Sequence, residues 1–220
     1  MIFQQAGGAG AQFVRHTGRV APFMERNVNT DVIAPSNPND LPGLTVGERF
    51  FEGIRYFEDG TEDPDFVLNR EIYRNASFMI VGENFGTGSS RGSAVRRPMA
   101  FGIRAVIGTT FGPYFLQNCS LLGFLAVSLD QEVVARLADW TVSNPGVEIS
   151  IDLPRQVIEV PGMQTISFTI DPRTKNKLLT GLEDFEEMLE YSDEARTFRE
   201  RDRNDRAWAY PSAAPSDNSR

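Results

Sequence analysis

An apolar run that empties into a glycine-dense turn constrains this chain more than any other feature. Phe78-Met79-Ile80-Val81 leads into Gly82-Glu83-Asn84-Phe85-Gly86-Thr87-Gly88-Ser89-Ser90-Arg91-Gly92-Ser93, and a helix-compatible stretch follows. Gly86, Gly88 and Gly92 allow sharp turning and close backbone approach to a ligand. Ser89 and Ser90 supply hydroxyls, Arg91 a planar cationic fork, and the turn a set of free backbone N–H groups. That combination suits a carboxylate or phosphate. The turn has no His, no Cys and no acidic cluster, so it reads as half of an anion-handling site.

Around this turn, short apolar runs bounded by glycine predict buried strands at 77–81 and 105–108, with another at 125–129. A strand is also expected from Phe13 to Val20, ending at Ala21-Pro22. Pro35, Pro38, Pro42, Gly43 and Gly47 mark a long loop over 34–47, a kind of segment that is often functional. Ser93–Phe101 is helix-compatible, although Pro98 is comfortable only in a first turn or at a kink. Asp130 is placed to cap a helix over 131–140. Val147, Ile149, Ile151 and Leu153 alternate with polar residues, as do Ile166, Phe168 and Ile170, so antiparallel hairpins are expected in 147–170. Phe185, Met188, Leu189, Ser192 and Ala195 follow helical spacing over 183–201. The fold class is therefore mixed α/β. Residues 1–11 read as a loose start, 12–201 as the domain and 202–220 as a disordered tail.

Composition removes several functions. A net charge of −8 disfavours nucleic acid and anionic membranes as partners. No apolar run approaches the roughly 18 residues of a membrane span, and the first dozen residues do not read as a signal peptide, so cytoplasm is the default. With one His and one Cys, a His/Cys metal site within the chain is not expected. His16 is the sole histidine and is remote in sequence, which argues against a Ser-His-Asp hydrolase. The turn is neither Gly-x-Ser-x-Gly nor a Walker loop, and Gly86-x-Gly88 is a weak dinucleotide signal. What remains chemically is an alkoxide: Ser89, held among Arg91 and backbone donors, removing a proton alpha to a carboxylate that Arg91 clamps. That reaction becomes feasible if a Lewis acid on another subunit polarises the substrate. On residues alone, the turn also reads as a plain connection, Asp31 as a cap, His16 as structural, and Cys119 as a small buried apolar residue.

Several segments, in order, resemble the small subunits of 3-isopropylmalate dehydratase, which are similar to the swivelling C-terminal domain of aconitase. They are His16-Thr17-Gly18-Arg19-Val20-Ala21-Pro22, Asn27-Val28-Asn29-Thr30-Asp31, Pro64-Asp65-Phe66-Val67-Leu68-Asn69, Glu83 through Arg91, Phe101 through Ile107, and Gln117-Asn118-Cys119. The resemblance runs from about Phe13 to Arg201 and implies a mixed-sheet, barrel-like β core with flanking helices, capping the active site of a large subunit. That partner carries a [4Fe–4S] cluster through three cysteines, and its open iron binds the substrate hydroxyl and a carboxylate. By the same resemblance Ser89 is the catalytic base, Ser90 and Arg91 bind a substrate carboxylate, Thr30 and Asp31 line the site, and the loop near Pro35–Leu44 helps set specificity. The implied activity is dehydration and rehydration of a hydroxylated di- or tricarboxylic acid, 3-isopropylmalate by default. A related 2-alkylmalate or secondary-pathway acid, a non-catalytic paralogue that binds the large subunit, and a free-standing carboxylate-binding module are the alternatives. The chain departs from the family where Glu-His-Ala usually follows Ser-Ser-Arg: here it is Gly92-Ser93-Ala94. Thr87 stands for the usual Cys and Asn29 for an Asp. The specificity loop is Pro-rich and lacks the family's aromatic-Leu-basic stretch.

Overall fold

The computed structural model describes residues 12–36, 41, 43–181 and 192–210. Two compact units are distinguished, residues 1–181 and 182–220, and each is described by itself. The first unit is built on one mixed sheet of β1 (Arg15–Phe23), β2 (Phe78–Val81), β3 (Ala105–Gly108), β4 (Leu125–Ser128), β5 (Glu148–Asp152), β6 (Val157–Glu159) and β7 (Ile166–Ser167). Its spatial order is β4-β3-β2-β1-β5-β6-β7. Helices α1 (Thr30–Ile33), α2 (Glu52–Arg55), α3 (Ser93–Phe101), α4 (Pro113–Leu122), α5 (Gln131–Ser143) and α6 (Pro172–Thr180) flank it.

β1 joins two different kinds of sheet. Its first half pairs antiparallel with β5, Arg15 facing Asp152 and Arg19 facing Glu148. Its second half pairs parallel with β2, Val20 facing Phe78 and Phe23 facing Val81. β2, β3 and β4 continue the parallel half, with α3 and α4 as the connections. β5, β6 and β7 form the expected antiparallel hairpins. In the parallel half both faces are covered. Phe78 and Ile80 pack with Val20, Ile107 and Val127 beneath Val134 and Leu137 of α5. Met79 and Val81 face the other way, into a cluster with Phe50, Phe51, Phe85, Phe115 and Phe124. Double-sided burial is why these strands read as continuous apolar runs. Each such Phe contributes about 1.5–3 kcal/mol by leaving water.

Several boundaries differ from the sequence expectation. β1 runs to Phe23, through Pro22 rather than stopping at it. The Arg19 and Phe23 carbonyls accept from Ser77 and Gly82 N–H on the β2 side. Strand alternation therefore turns the Pro22 nitrogen to the other side, where β5 has already ended, and no ladder bond is lost. Pro98 is the sixth residue of α3, not in its first turn. Its ring is buried, and its missing N–H costs one ladder bond; Gly102 ends the helix four residues later with N–H bonds to the Pro98 and Met99 carbonyls. Asp130 precedes α5 without bonding to it through its side chain. β7 covers only Ile166–Ser167, so Phe168 and Ile170 lie beyond it. Helices α4 and α6, and strand β6, are additions to the sequence reading.

The second unit contains α7 (Ser192–Asp205) and a short 3₁₀ turn, Ala207–Ala209. Residues 183–191 of the expected helix lie outside the described residues. The helix continues four residues past Arg201, and Asp202 accepts from Arg206 Nε at 2.6 Å and Tyr210 Oη at 2.8 Å. Among the described residues, no helix is long and apolar enough to cross a membrane.

Candidate active site

The parallel half of the sheet determines where chemistry can sit. Three loops leave the C-terminal ends of neighbouring parallel strands: 24–29 after β1, 82–92 after β2 and 109–112 after β3. In open α/β sheets this edge is where ligands bind. Here the loops are stitched into one platform. Asn27 N–H donates to the Glu83 carbonyl (2.8 Å), Gly86 N–H to the Val28 carbonyl (2.7 Å) and Thr30 N–H to the Thr87 carbonyl (2.8 Å). On the other side, Phe85 N–H donates to the Thr110 carbonyl (3.2 Å) and Gly112 N–H to the Phe85 carbonyl (2.8 Å). Asn84 adds a backbone bond to Thr110 Oγ1 and a side-chain bond to Asn27 Oδ1, both 2.9 Å.

Gly86 shows why the turn needs its glycines. Its φ is +73°, and a Cβ there would lie 2.6 Å from Phe115 Cβ, with the ring atom Cγ closer still. Phe115 is fully buried and meets Phe85 edge-on at 5.5 Å. The backbone therefore passes where only a hydrogen fits, and the turn is fixed from below by the aromatic core.

On this platform Ser89 and Ser90 are exposed, and among the described residues neither hydroxyl bonds to the protein. Arg91 is half-buried, and its Nη1 donates to both Asp31 Oδ1 and Ser36 Oγ. Nε and Nη2 have no partner among the described residues, which leaves one edge of the fork open to a carboxylate. Asp31 follows Asn29, whose Oδ1 accepts from Val32 N–H (2.9 Å) and caps α1. The structure thus brings Ser89, Ser90, Arg91 and Asp31 together at the surface. Thr30 also reaches the turn but lies beneath it: it is buried, its Oγ1 has no partner, and that oxygen is 3.4 Å from a Cβ built on Gly88. Ser36 belongs to the proline-rich loop but carried no individual signal in sequence, because its contact with Arg91 spans 55 residues.

Two further residues bear on the chemistry. His16 sits at the far end of β1, seven residues before Phe23, roughly 23 Å along an extended strand. Burial, with a smaller repulsion from Arg104, holds its imidazole below its ordinary value. It cannot act on Ser89. Cys119 is buried in α4, and burial pushes its thiol well above the ordinary thiol value. Among the described residues no three His, Cys, Asp or Glu side chains come together as a metal site.

The profile of the aconitase C-terminal domain matches residues 11–132, and a second, described as LeuD_N, matches residues 135–172. The chain is 38% identical over 199 residues to the 3-isopropylmalate dehydratase small subunit of Rhodopseudomonas palustris (strain BisA53), covering 90% of this chain and 99% of that one. It is 39% identical over 198 residues to the protein of that name from Paramagnetospirillum magneticum, covering 90% and 98%. The fold matches the crystal structure of a 3-isopropylmalate dehydratase from Methanocaldococcus jannaschii with a TM-score of 0.57, at 22% identity and over 86% of this chain and 99% of that one.

Proposed function

Because the chain belongs to the family of 3-isopropylmalate dehydratase small subunits, we propose that it is the small subunit of a two-subunit hydro-lyase of leucine biosynthesis type. Its substrate is a hydroxylated di- or tricarboxylic acid, and 3-isopropylmalate is the first to test. The observation that carries this reading is the open edge of Arg91 beside two unbonded serine hydroxyls, on a platform with no histidine within reach.

The relatives are small subunits, and in this reading a large partner subunit carries an iron–sulfur cluster, which would supply the Lewis acidity that assists loss and return of the hydroxyl. This chain supplies the rest. Arg91 Nε and Nη2 take a substrate carboxylate side-on, while Asp31 and Ser36 hold Nη1 and fix the plane of the fork. Ser90 Oγ adds a donor to the same carboxylate. Ser89 Oγ, as an alkoxide stabilised by Arg91 and by turn N–H groups, takes up and returns the proton on the carbon alpha to that carboxylate. Thr30, beneath Gly88, supports the turn from below.

The test is co-expression with a cluster-bearing large subunit and assay of the pair against 3-isopropylmalate, a panel of 2-alkylmalates and a panel of hydroxylated tricarboxylates. Wild type turns over one of these acids, and Ser89→Ala lowers kcat by about 10²–10⁴-fold while the complex still assembles. Undiminished turnover by the Ser89→Ala complex would refute the catalytic role and leave the chain as a non-catalytic partner. Full activity of the isolated chain would refute the two-subunit reading.

A further inference from the structure

Three arginines, Arg91, Arg96 and Arg97, stand at the turn and the first half of α3. Two are engaged. Arg91 pairs with Asp31. Arg97 is largely buried, donates to the Arg49 carbonyl (3.0 Å) and the Pro35 carbonyl (3.2 Å), and lies 4.0 Å from the buried Glu52. Arg96 is different. It is exposed, and among the described residues it has no hydrogen bond, ion pair or ring contact. Its head group is nevertheless not splayed into solvent. A Cβ added at Gly92 would lie 2.8 Å from Arg96 Nη1, 3.4 Å from Cζ and 3.8 Å from Nη2. The guanidinium is folded back along the helix over the residue that follows Arg91, into the space a side chain at 92 would fill. Gly92 has φ −60° and ψ −25°, an ordinary helical conformation, so its backbone does not require glycine. What the missing side chain provides is room for the Arg96 head.

Charge points the same way. Asp31 already offsets Arg91, and Glu83, the nearest acid on the turn, is paired with Arg26. Among the described residues of the turn and the first half of α3, Arg96 over Gly92 is therefore the cation with no acidic partner. We infer that Arg96 is a second carboxylate-binding residue of this site, and that it sets specificity toward acids presenting one more carboxylate than Arg91 alone can hold, a tricarboxylate rather than an alkyl-substituted dicarboxylate. This rests on the proposed function of the Ser-Ser-Arg turn and narrows its substrate class.

The probes are tricarballylate, with three carboxylates, and succinate, which lacks the third. Binding of each to the reconstituted two-subunit complex is measured by titration calorimetry for wild type, Arg96→Gln, Arg96→Lys and Gly92→Ala. Arg96→Gln weakens tricarballylate about tenfold, the scale of one exposed charge-assisted hydrogen bond, and leaves succinate within about twofold. Arg96→Lys recovers part of the loss. Gly92→Ala, whose methyl displaces the guanidinium without straining the backbone, reproduces the selective loss with Arg96 intact. Equal weakening of both probes, or of neither, overturns the inference. Turnover of 3-isopropylmalate by a complex that shows no tricarballylate difference sinks the inference alone. A selective tricarballylate loss in a complex that turns over no hydroxylated acid supports the role of Arg96 and sinks the dehydratase reading instead.

Discussion

Replacing Gly86 by Ala tests whether the aromatic core fixes the site turn. At φ +73° an alanine incurs about 1 kcal/mol for the left-handed backbone. Its methyl would also lie 2.6 Å from Phe115 Cβ, and the clash falls on a fully buried side chain held between Phe85 and Phe111. Overpacking of a close-packed core costs about 1–3 kcal/mol. Restricting the unfolded chain returns about 0.4–1 kcal/mol. The net loss is about 1–3.5 kcal/mol, or about 2–14 °C in Tm for a chain of this size. Chemical denaturation at fixed pH, followed by far-UV circular dichroism, reads it directly. Gly92→Ala is the internal control: its helical φ, and a clash confined to the exposed far end of the Arg96 side chain, predict no loss. Phe115→Ala removes Cγ and Cδ2, two of the three atoms nearest the methyl, so the Gly86→Ala/Phe115→Ala double variant should lose at least about 1 kcal/mol less than the two single losses added. A Gly86→Ala loss below about 1 kcal/mol, or additive behaviour in the double variant, would refute the steric account.

Other perturbations separate the roles of single groups. Arg91→Lys keeps the charge but not the fork; stability should change by less than about 1 kcal/mol, because the Asp31 pair is partly exposed, while kcat/KM of the complex falls about 10–100-fold. The His16 imidazole is buried at Nε2 without a partner and titrates below its ordinary 6.5. The unfolded chain therefore takes up the proton first, so this group's contribution to stability is complete above pH 6.5 and declines as pH falls through the folded value. Denaturation midpoints across pH 5–8 should show that decline, and His16→Phe should flatten it. Iodoacetamide should leave Cys119 unmodified in the native chain and alkylate it in denaturant; native labelling would contradict its burial.

Much of the fold was legible because its signals are local. β2 and β3 announce themselves as apolar runs, since helices and loops cover both faces. α4 and α6 carry only terminal punctuation: Gly112-Pro113 before Gly123, and Asp171-Pro172 before Gly181, are the proline-first, glycine-after pattern of a helix. Their interiors mask it. α4 buries only Phe115 and Cys119, so no periodic stripe stands out. Pro22 and Pro98 sit where local rules disfavour proline for a related reason: the sheet order leaves the Pro22 nitrogen without a strand to pair, and at Pro98 burial of the ring offsets a lost ladder bond. At the site, the turn itself could be read from the chain and its relatives. The grip of Asp31 and Ser36 on Arg91 could not, because it joins positions 60 and 55 residues apart. Arg96 was invisible as well, since its meaning lies in an unfilled volume at Gly92 rather than in any motif.

The placement of β1 has a consequence for how the chain is made. Among the described strands it comes first in the sequence and sits in the middle of the sheet, with β2 on one flank and β5 on the other. Asp152, the last β5 residue it pairs with, lies 129 positions after Phe23. At typical ribosomal speeds, roughly 6–26 s pass before that flank can close. Through that interval the nascent chain presents the apolar side chains of β1 with no antiparallel neighbour, a strand edge open to chaperones and to other nascent copies. Ribosome-bound intermediates stalled near residue 145 should therefore be chaperone-bound, and those stalled well past residue 180, once β5 has cleared the exit tunnel, should not.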